Sequence, residues 1–362
     1  MSEKRKVTTR DIAKKCQVSQ TAVSMVLSGR EDIHFKKDTV DKILKTAGEM
    51  GYVYKKRQRK PASHITKTIL IMCPSLSTEY YTTLVRTITK SARLKGLFTM
   101  STYTMRDLAT EESLLNTAAE SGFYGVIYTY APQAVDRINR LHKDLPFVLI
   151  NDYNEKLRVP LVELDSKRSG VLIAEHLISL GHRHIAYMTT PLDPLELPRK
   201  RRLDGMREAF SRAGLDPEQV EAVQLTQEQW DYYLMGNRYY DGGYQLTLQY
   251  MKNPDGKATA FVGTNDQISF GIMDALRKMG YRIPEDFSVC GFDNTLASSF
   301  AGISLTTIDH SIEEKGTAAV RMLIDTHEAR TSSDHKDRKT AMMRLEYDPV
   351  LQIRESTGPC SR

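Results

Sequence analysis

Gln20, Thr21 and Ser24 fall on one face of a short helical stretch near the start of the chain. Amide and hydroxyl groups so placed can exchange hydrogen bonds with base edges in a DNA major groove, while the neighbouring Met25 can offer only apolar contact. A run of cations follows at Lys55, Lys56, Arg57 and Arg59, suited to phosphates or to a minor groove. Charge is shared unevenly along the chain. Residues 1 to 60 contain 16 Lys or Arg and 7 Asp or Glu, a balance of +9 against a total of +6, so the remainder carries −3. A polyanion-binding end is thus joined to a nearly neutral body.

The elements that must position those groups lie in residues 7 to 29, VTTRDIAKKCQVSQTAVSMVLSG. A helix starts at Thr8 or Thr9, and Thr8 with Asp11 has capping-box spacing. Gln17 and Val18 make a turn, Ser19 caps a second helix, and Ala22, Val23, Val26 and Leu27 give that helix an apolar stripe. A third amphipathic segment, from about Lys36 to Met50, carries Val40, Ile43, Leu44, Ala47 and Met50 and stops at Gly51. This is the outline of a helix-turn-helix headpiece, whose second helix enters the major groove by its N-terminal residues.

The segment resembles the headpiece of the LacI/GalR family of bacterial transcription regulators, through Val7-Thr8, Asp11-Ile12-Ala13, Val18-Ser19, Thr21-Ala22-Val23-Ser24, Val26-Leu27, Gly29 and Gly51-Tyr52. Thr8, Ser19, Gln20, Thr21, Ser24, Met25, Tyr52, Lys55, Lys56, Arg57 and Arg59 are accordingly the residues expected to meet DNA. Met25 stands where the family usually has a guanine-reading arginine, which implies a different operator half-site. Pro61 stands where the family's hinge helix has its minor-groove leucine. Proline opposes a helix through that point, so the hinge is either shorter or a basic arm.

From residue 68 apolar strands alternate with helical stretches, the pattern of parallel sheets covered by helices. Strand-like runs occur at 68–72, 97–100, 125–128 and 147–150; a second set opens at 159–164 and continues at 184–188, 222–225, 260–262 and 287–290. Some 290 residues of this pattern exceed one domain and imply two lobes with a ligand between them, at the carboxyl ends of the strands. The expected fold is α/β: a small all-α headpiece and basic hinge (1–60), a linker (61–67), and a two-lobed body of two doubly wound parallel sheets (68–357). The first lobe is expected at about 68–164 and 294–328, the second at about 165–293 and 329–357.

The body resembles the periplasmic-binding-protein-like effector domain of the same family. The resemblance rests on Ala174-Glu175-His176-Leu177, Leu180-Gly181-His182, Arg202-Leu203-Asp204-Gly205, Gly263-Thr264-Asn265-Asp266, Ile283-Pro284-Glu285-Asp286, Gly291-Phe292-Asp293-Asn294 and Arg354-Glu355-Ser356-Thr357. It implies three crossings between lobes and a cleft lined by Tyr80, Tyr81, Asp152, Arg202, Asn265, Asp266 and Asp293; Arg238 stands where the family often stacks an aromatic ring on the ligand, and the adjacent Tyr239 is the expected contact there. Carboxylates suit sugar hydroxyls, and Arg202 offers a fork of donors. The stretch from Gln227 to Asp241 reads as a long loop rich in aromatic rings, which also suit carbohydrate faces. A sugar or sugar derivative is the first expectation for the effector, a purine or amino acid the second, and a regulator without effector the third.

Catalysis finds little support. Cys16, Cys73, Cys290 and Cys360 lack metal spacing, and neither a phosphate loop nor a Gly-x-Ser-x-Gly elbow is present. No metal or cofactor is expected. Charged first residues without a signal peptide, and no apolar run of membrane length, imply a cytoplasmic protein on the nucleoid. The leading expectation is a homodimeric repressor on a near-palindromic DNA operator, without a tetramerisation helix. An activator or corepressor-dependent regulator is the alternative, and a solute-binding or enzymatic protein with an accessory headpiece a distant one.

Overall fold

The computed structural model describes residues 7–27, 35–52, 66–76, 78–150, 156–192, 197–235, 238–331 and 343–361. It separates into two compact units, Met1–His64 and Ile65–Arg362.

In the first unit α1 (Thr9–Cys16), α2 (Gln20–Leu27) and α3 (Lys37–Glu49) enclose a small core of Ile12, Ala13, Cys16, Val23, Leu27, Ile43 and Ala47. The expected capping box is present: Thr8 N–H and hydroxyl both donate to Asp11 Oδ2, at 2.8 and 2.6 Å. Gln17 ends α1 in the left-handed region, at φ 57°, and Ser19 Oγ accepts the Ala22 N–H at 3.0 Å to start α2. Leu44, expected in the core stripe of α3, is instead 40 % exposed. Ile43 and Ala47 already fill the contact with α1 and α2, and the next residue turns about 100° away.

The second unit begins with a first lobe of β1 (Thr68–Cys73), α4 (Glu79–Leu94), β2 (Phe98–Tyr103), α5 (Leu108–Ser121), β3 (Gly125–Tyr128), α6 (Val135–Leu141), β4 (Phe147–Ile150) and β5 (Leu161–Leu164). The second lobe follows with α7 (Ser166–Ser179), β6 (Ile185–Thr189), α8 (Leu197–Arg212), β7 (Val220–Gln224), α9 (Gln227–Met235), α10 (Tyr239–Met251), β8 (Ala260–Gly263), α11 (Asp266–Lys278), β9 (Ser288–Asp293) and β10 (Thr306–Asp309). The chain then returns to the first lobe for α12 (Ile312–Thr331) and β11 (Arg344–Tyr347), and ends in the second with β12 (Val350–Gln352). The sheet orders are β11-β5-β4-β3-β1-β2 and β12-β10-β9-β8-β6-β7. All pairings are parallel except β12 on β10. Strands such as Ile69-Leu70-Ile71-Met72 are buried on both faces, because helices cover both sides of the sheet.

Three expectations about the lobes need correction. Residues 161–164 do not open the second set: Leu161 pairs with Leu149 of β4 in the first sheet. The return to the first lobe comes after Asp309 rather than after Asp293, since β10 pairs with β9 from Thr306↔Cys290 to Asp309↔Asp293. Residues 344–347, expected in the second lobe, pair with β5 in the first. The physical reason is common to all three: which sheet a strand joins is set by edge pairing with residues distant in sequence.

The second lobe is tightened where α7 crosses α8. A Cβ added at Gly170 would lie 2.0 Å from the Arg202 carbonyl oxygen, and one at Gly205 would lie 2.0 Å from that of Lys167. Only hydrogen fits at these two positions, so the helices meet backbone to backbone and α8 is held against the sheet. Gly205→Ala should therefore push the helices apart and destabilise the fold by about 1–3 kcal/mol. Urea unfolding of the whole chain checks this; an unchanged midpoint would contradict the close contact.

Candidate nucleic-acid interface and ligand site

In the first unit α2 presents Gln20, Thr21 and Ser24 as exposed side chains, with Met25 half-buried beside them. Gln20 Nε2 donates to Thr9 Oγ1 at 3.2 Å, which ties the start of α2 to the start of α1 and sets the direction of the amide. Thr8 and Ser19 are engaged as helix caps, so their hydroxyls serve the headpiece first. Tyr52, expected to meet DNA, packs half-buried against the small core, and its N–H donates to the Ala47 carbonyl at 2.9 Å. Lys55, Lys56, Arg57, Arg59 and Pro61 lie outside the described residues. What remains is a helix N-terminus carrying a row of amide and hydroxyl groups, with the exposed cations Arg10, Lys14 and Lys15 on α1.

In the second unit the strand ends of both lobes face a cleft that is partly open to solvent. Tyr80, Tyr81, Arg202, Tyr239, Asn265 and Asp293 all line it. Asp152 lies outside the described residues. Asp266 does not line the cleft: it is fully buried, its Oδ2 accepting the Thr295 N–H and hydroxyl, both at 2.9 Å, and its Oδ1 the Thr307 hydroxyl at 2.6 Å. It joins β10 and the turn after β9 rather than holding a ligand. Its neighbour Asn265 caps α11, accepting the Ile268 N–H at 2.9 Å, and keeps its amide nitrogen for the cleft. The stretch read as an aromatic loop is two helices, α9 and α10. Trp230 and Tyr239 pack edge to face within them, ring centres 5.2 Å apart, because both rings are buried between the helices and the sheet.

Arg202 is only 8 % exposed. Its Nη1 donates to the Thr264 carbonyl at 2.6 Å, its Nη2 approaches His310 Nε2 at 3.3 Å, and the guanidinium carbon lies 4.3 Å from the centre of the Phe292 ring. His310 Nε2 therefore accepts, which leaves the ring proton on Nδ1, 3.7 Å from Asp293 Oδ1. Burial holds His310 well below the ordinary histidine range, with Arg202 and Lys315 adding to the effect. Burial likewise pushes Asp293 well above the carboxylate range; Asp266 adds to this while Arg202, Lys315 and Arg199 oppose it. The Asp293 backbone has φ 129° and Asn294 φ 51°, costly conformations for residues other than glycine. They are held by Asn294 Nδ2 donating to Asp309 Oδ2 at 2.9 Å and by Arg354 Nη2 donating to Asn294 Oδ1 at 2.5 Å.

Sequence reasoning missed Arg106, Arg199 and His310 in the cleft, and Lys315 behind it. His310 follows directly on β10, as Asp293 ends β9, so the strand-end rule could have found it. Arg199 lies three residues before Arg202 on α8, on the same face. Lys315 is fully buried in α12, its Nζ donating to the Tyr80 hydroxyl at 3.3 Å, and nothing local in the sequence marks it. Carboxylate, amide, guanidinium and phenol groups so arranged can bind a polyhydroxylated molecule from both lobes at once. Among the described residues no group of three or more His, Cys, Asp or Glu is placed to hold a metal ion.

Residues 174–357 match the model of the periplasmic binding protein-like domain. The chain is 27 % identical to the NTD biosynthesis operon regulator NtdR of Bacillus subtilis, over 96 % of this chain and 98 % of that protein. It is also 27 % identical to the arabinose metabolism transcriptional repressor of Geobacillus stearothermophilus, over 96 % and 98 %. A crystal structure of a LacI family transcriptional regulator from Enterococcus faecium with bound ribose matches with a TM-score of 0.68 and 25 % identity, over 81 % of this chain and 99 % of that one.

Burial pushes the Asp266 carboxyl up to about 6. Its folded-state value lies above the unfolded one, so its contribution is fully present below the unfolded value of about 4 and is lost as pH rises through 6. The stability advantage of the wild type over Asp266→Asn should therefore be greatest near pH 4 and shrink towards pH 7. Denaturant unfolding across that range reads the difference, and an advantage that grows with pH would overturn the assignment.

Proposed function

This chain belongs to the LacI/GalR family of transcription regulators, and we propose that it acts as a repressor whose affinity for its operator is set by a sugar or sugar derivative bound between the lobes of its body. The observation that carries this reading is the joint placement of Tyr80 and Tyr81 from the first lobe with Arg202, Tyr239, Asn265 and Asp293 from the second around one cleft. The same chain carries a helix-turn-helix headpiece with a polar reading face. The Geobacillus relative is named for arabinose metabolism and the Enterococcus structure holds ribose, which supports the choice of a carbohydrate. Among the described residues no helix is long and apolar enough to cross a membrane, and we place the protein in the cytoplasm, on the nucleoid.

A ligand held from both lobes favours the arrangement in which both sets of groups reach it. If the arrangements differ in operator affinity, binding shifts their populations and with them the occupancy of the operator. One contact already joins the lobes at the edge of the cleft: Glu79 Oε1 accepts the Leu296 N–H at 2.8 Å. A regulator of this kind works as a two-fold dimer, because two headpieces then read two half-sites. The surface we assign to that dimer is the free edge of the first sheet, where β2 exposes Phe98 (72 %), Met100 (54 %) and Tyr103 (58 %) beside Leu94 (78 %). An apolar edge strand left open is an aggregation hazard unless another chain covers it.

Selection from random duplex DNA at fixed salt should enrich a near-palindrome, and Gln20→Ala or Thr21→Ala should relax the preference at the half-site positions. Retention of DNA without any enriched sequence would overturn sequence reading. Arg202→Ala and Asp293→Ala should each weaken sugar binding by about 10- to 100-fold through loss of a hydrogen-bonding partner. Calorimetry with both variants checks this, and wild-type affinity in either would remove that residue from the site. Met100→Lys together with Phe98→Lys should turn dimer into monomer in analytical ultracentrifugation; an intact dimer would place the interface elsewhere.

A further inference from the structure

The turn that carries Asp293 into the cleft is fastened by side chains that do not line the cleft themselves. Asn294, the next residue, sits at φ 51°, where glycine would rest at no steric cost. Its amide is engaged at both ends: Nδ2 donates to Asp309 Oδ2 at 2.9 Å, and Oδ1 accepts from Arg354 Nη2 at 2.5 Å. Its backbone N–H donates to Thr307 Oγ1 at 3.3 Å. Arg354 is fixed in turn. Its Nη1 donates to Ser298 Oγ at 3.0 Å and to the Leu305 carbonyl at 2.7 Å, and its N–H donates to Thr306 Oγ1 at 2.9 Å. Asp309 is the register partner of Asp293 across β9 and β10, and its Oδ1 accepts the Ser311 N–H at 2.8 Å, so it holds the backbone on either side of His310. Arg354, Asn294 and Asp309 thus join the C-terminal segment, the turn after β9 and the end of β10. The two cleft groups beside this chain of bonds, Asp293 and His310, stand 3.7 Å apart.

A turn that had only to leave β9 would cost less with glycine at position 294. The chain instead carries an asparagine whose two bonds over-determine the strained backbone, and strain of this kind persists only where its surroundings hold it. The Asp293 side chain hangs from that segment, at φ 129°, so relaxation of either residue would swing its carboxylate. We propose that Asn294 and Arg354 are positioning residues for effector binding, which hold the Asp293 carboxylate at the place where it meets a ligand hydroxyl. This inference rests on the reading of the cleft as the effector site. It adds that affinity depends on two side chains outside the cleft wall, one of them contributed by the last stretch of the chain.

The test uses the full chain. Calorimetric titration with ribose, arabinose, glucose and cellobiose identifies the sugar that the wild type binds most tightly, and that sugar is the probe for the variants. Asn294→Gly accepts the same backbone conformation but gives up both amide bonds, and it should weaken binding by about tenfold. Arg354→Gln should do the same. It also loses the bonds to Ser298 and Leu305, so urea unfolding is used to show that each variant is folded during titration, and Asn294→Gly decides alone if Arg354→Gln is not. In an Asp293→Ala background either substitution should cost less than about twofold more, because a side chain that acts through Asp293 then has nothing left to place. A merely structural role would lower affinity equally in both backgrounds. Wild-type affinity in Asn294→Gly, or a loss of the same size with and without Asp293, would overturn the proposal while leaving the effector site intact. Failure of the wild type to bind any of the four sugars would instead remove the carbohydrate reading of the cleft, and this inference with it.

Discussion

A guanidinium that is nine-tenths buried must be given partners, and the second lobe is arranged to supply them around Arg202. The Thr264 carbonyl comes from the end of β8, the Phe292 face from β9 and the His310 ring from the residue after β10. Three strand ends are therefore brought into register by one side chain. The backbone that carries Arg202 is in turn pressed against α7, since Gly170 faces its carbonyl with no room for a Cβ. Any shift of α8 along α7 would move the guanidinium out of its three contacts. Helix contact, strand ends and cleft are thus one mechanical unit.

The same arrangement explains why ionisable groups gather where the lobes meet. His310 sits between Arg202 and Asp293, kept neutral by burial and by the cations around it, and so transmits a hydrogen-bonding direction rather than a charge. Asp293 closes β9 in a backbone conformation that few residues accept, and the turn behind it is fastened by Asp309 and Arg354. Strain at this point is sustained by groups from three separate stretches of chain. The C-terminal segment thus contributes to the cleft without lining it.

The headpiece follows a different economy. Its core is a handful of side chains, and much of its definition comes from capping: Thr8 with Asp11 at α1, the left-handed Gln17 between the helices, and Ser19 at α2. These are contacts between residues one to four apart, and they leave the N-terminal face of α2 exposed. The body depends on pairings between residues a hundred or more positions apart, as where Arg344 stands beside Leu161.

That difference in range separates what the sequence alone determined from what only the tertiary structure decided. Caps, the helix-turn-helix spacing, the apolar strands and the charge difference between the ends of the chain were legible because they depend on neighbouring residues. Six residues that the family resemblance placed at the cleft, Tyr80, Tyr81, Arg202, Tyr239, Asn265 and Asp293, do line it. The lobe that each late strand joins was not legible, because edge pairing is non-local. Nor was the separation of Asn265 from Asp266: Asn265 is the extended N-cap of α11, with φ −153° and ψ 170°, and stays at the cleft, whereas Asp266 is the first residue of the helix and its side chain goes into the interior. Met25, Arg199 and Lys315 are equally plain as letters, yet their surroundings are set by packing. One is half-buried beside the exposed polar face of α2, one lines the cleft on α8, and one is fully buried behind a tyrosine, because burial and charge environment are properties of the folded chain.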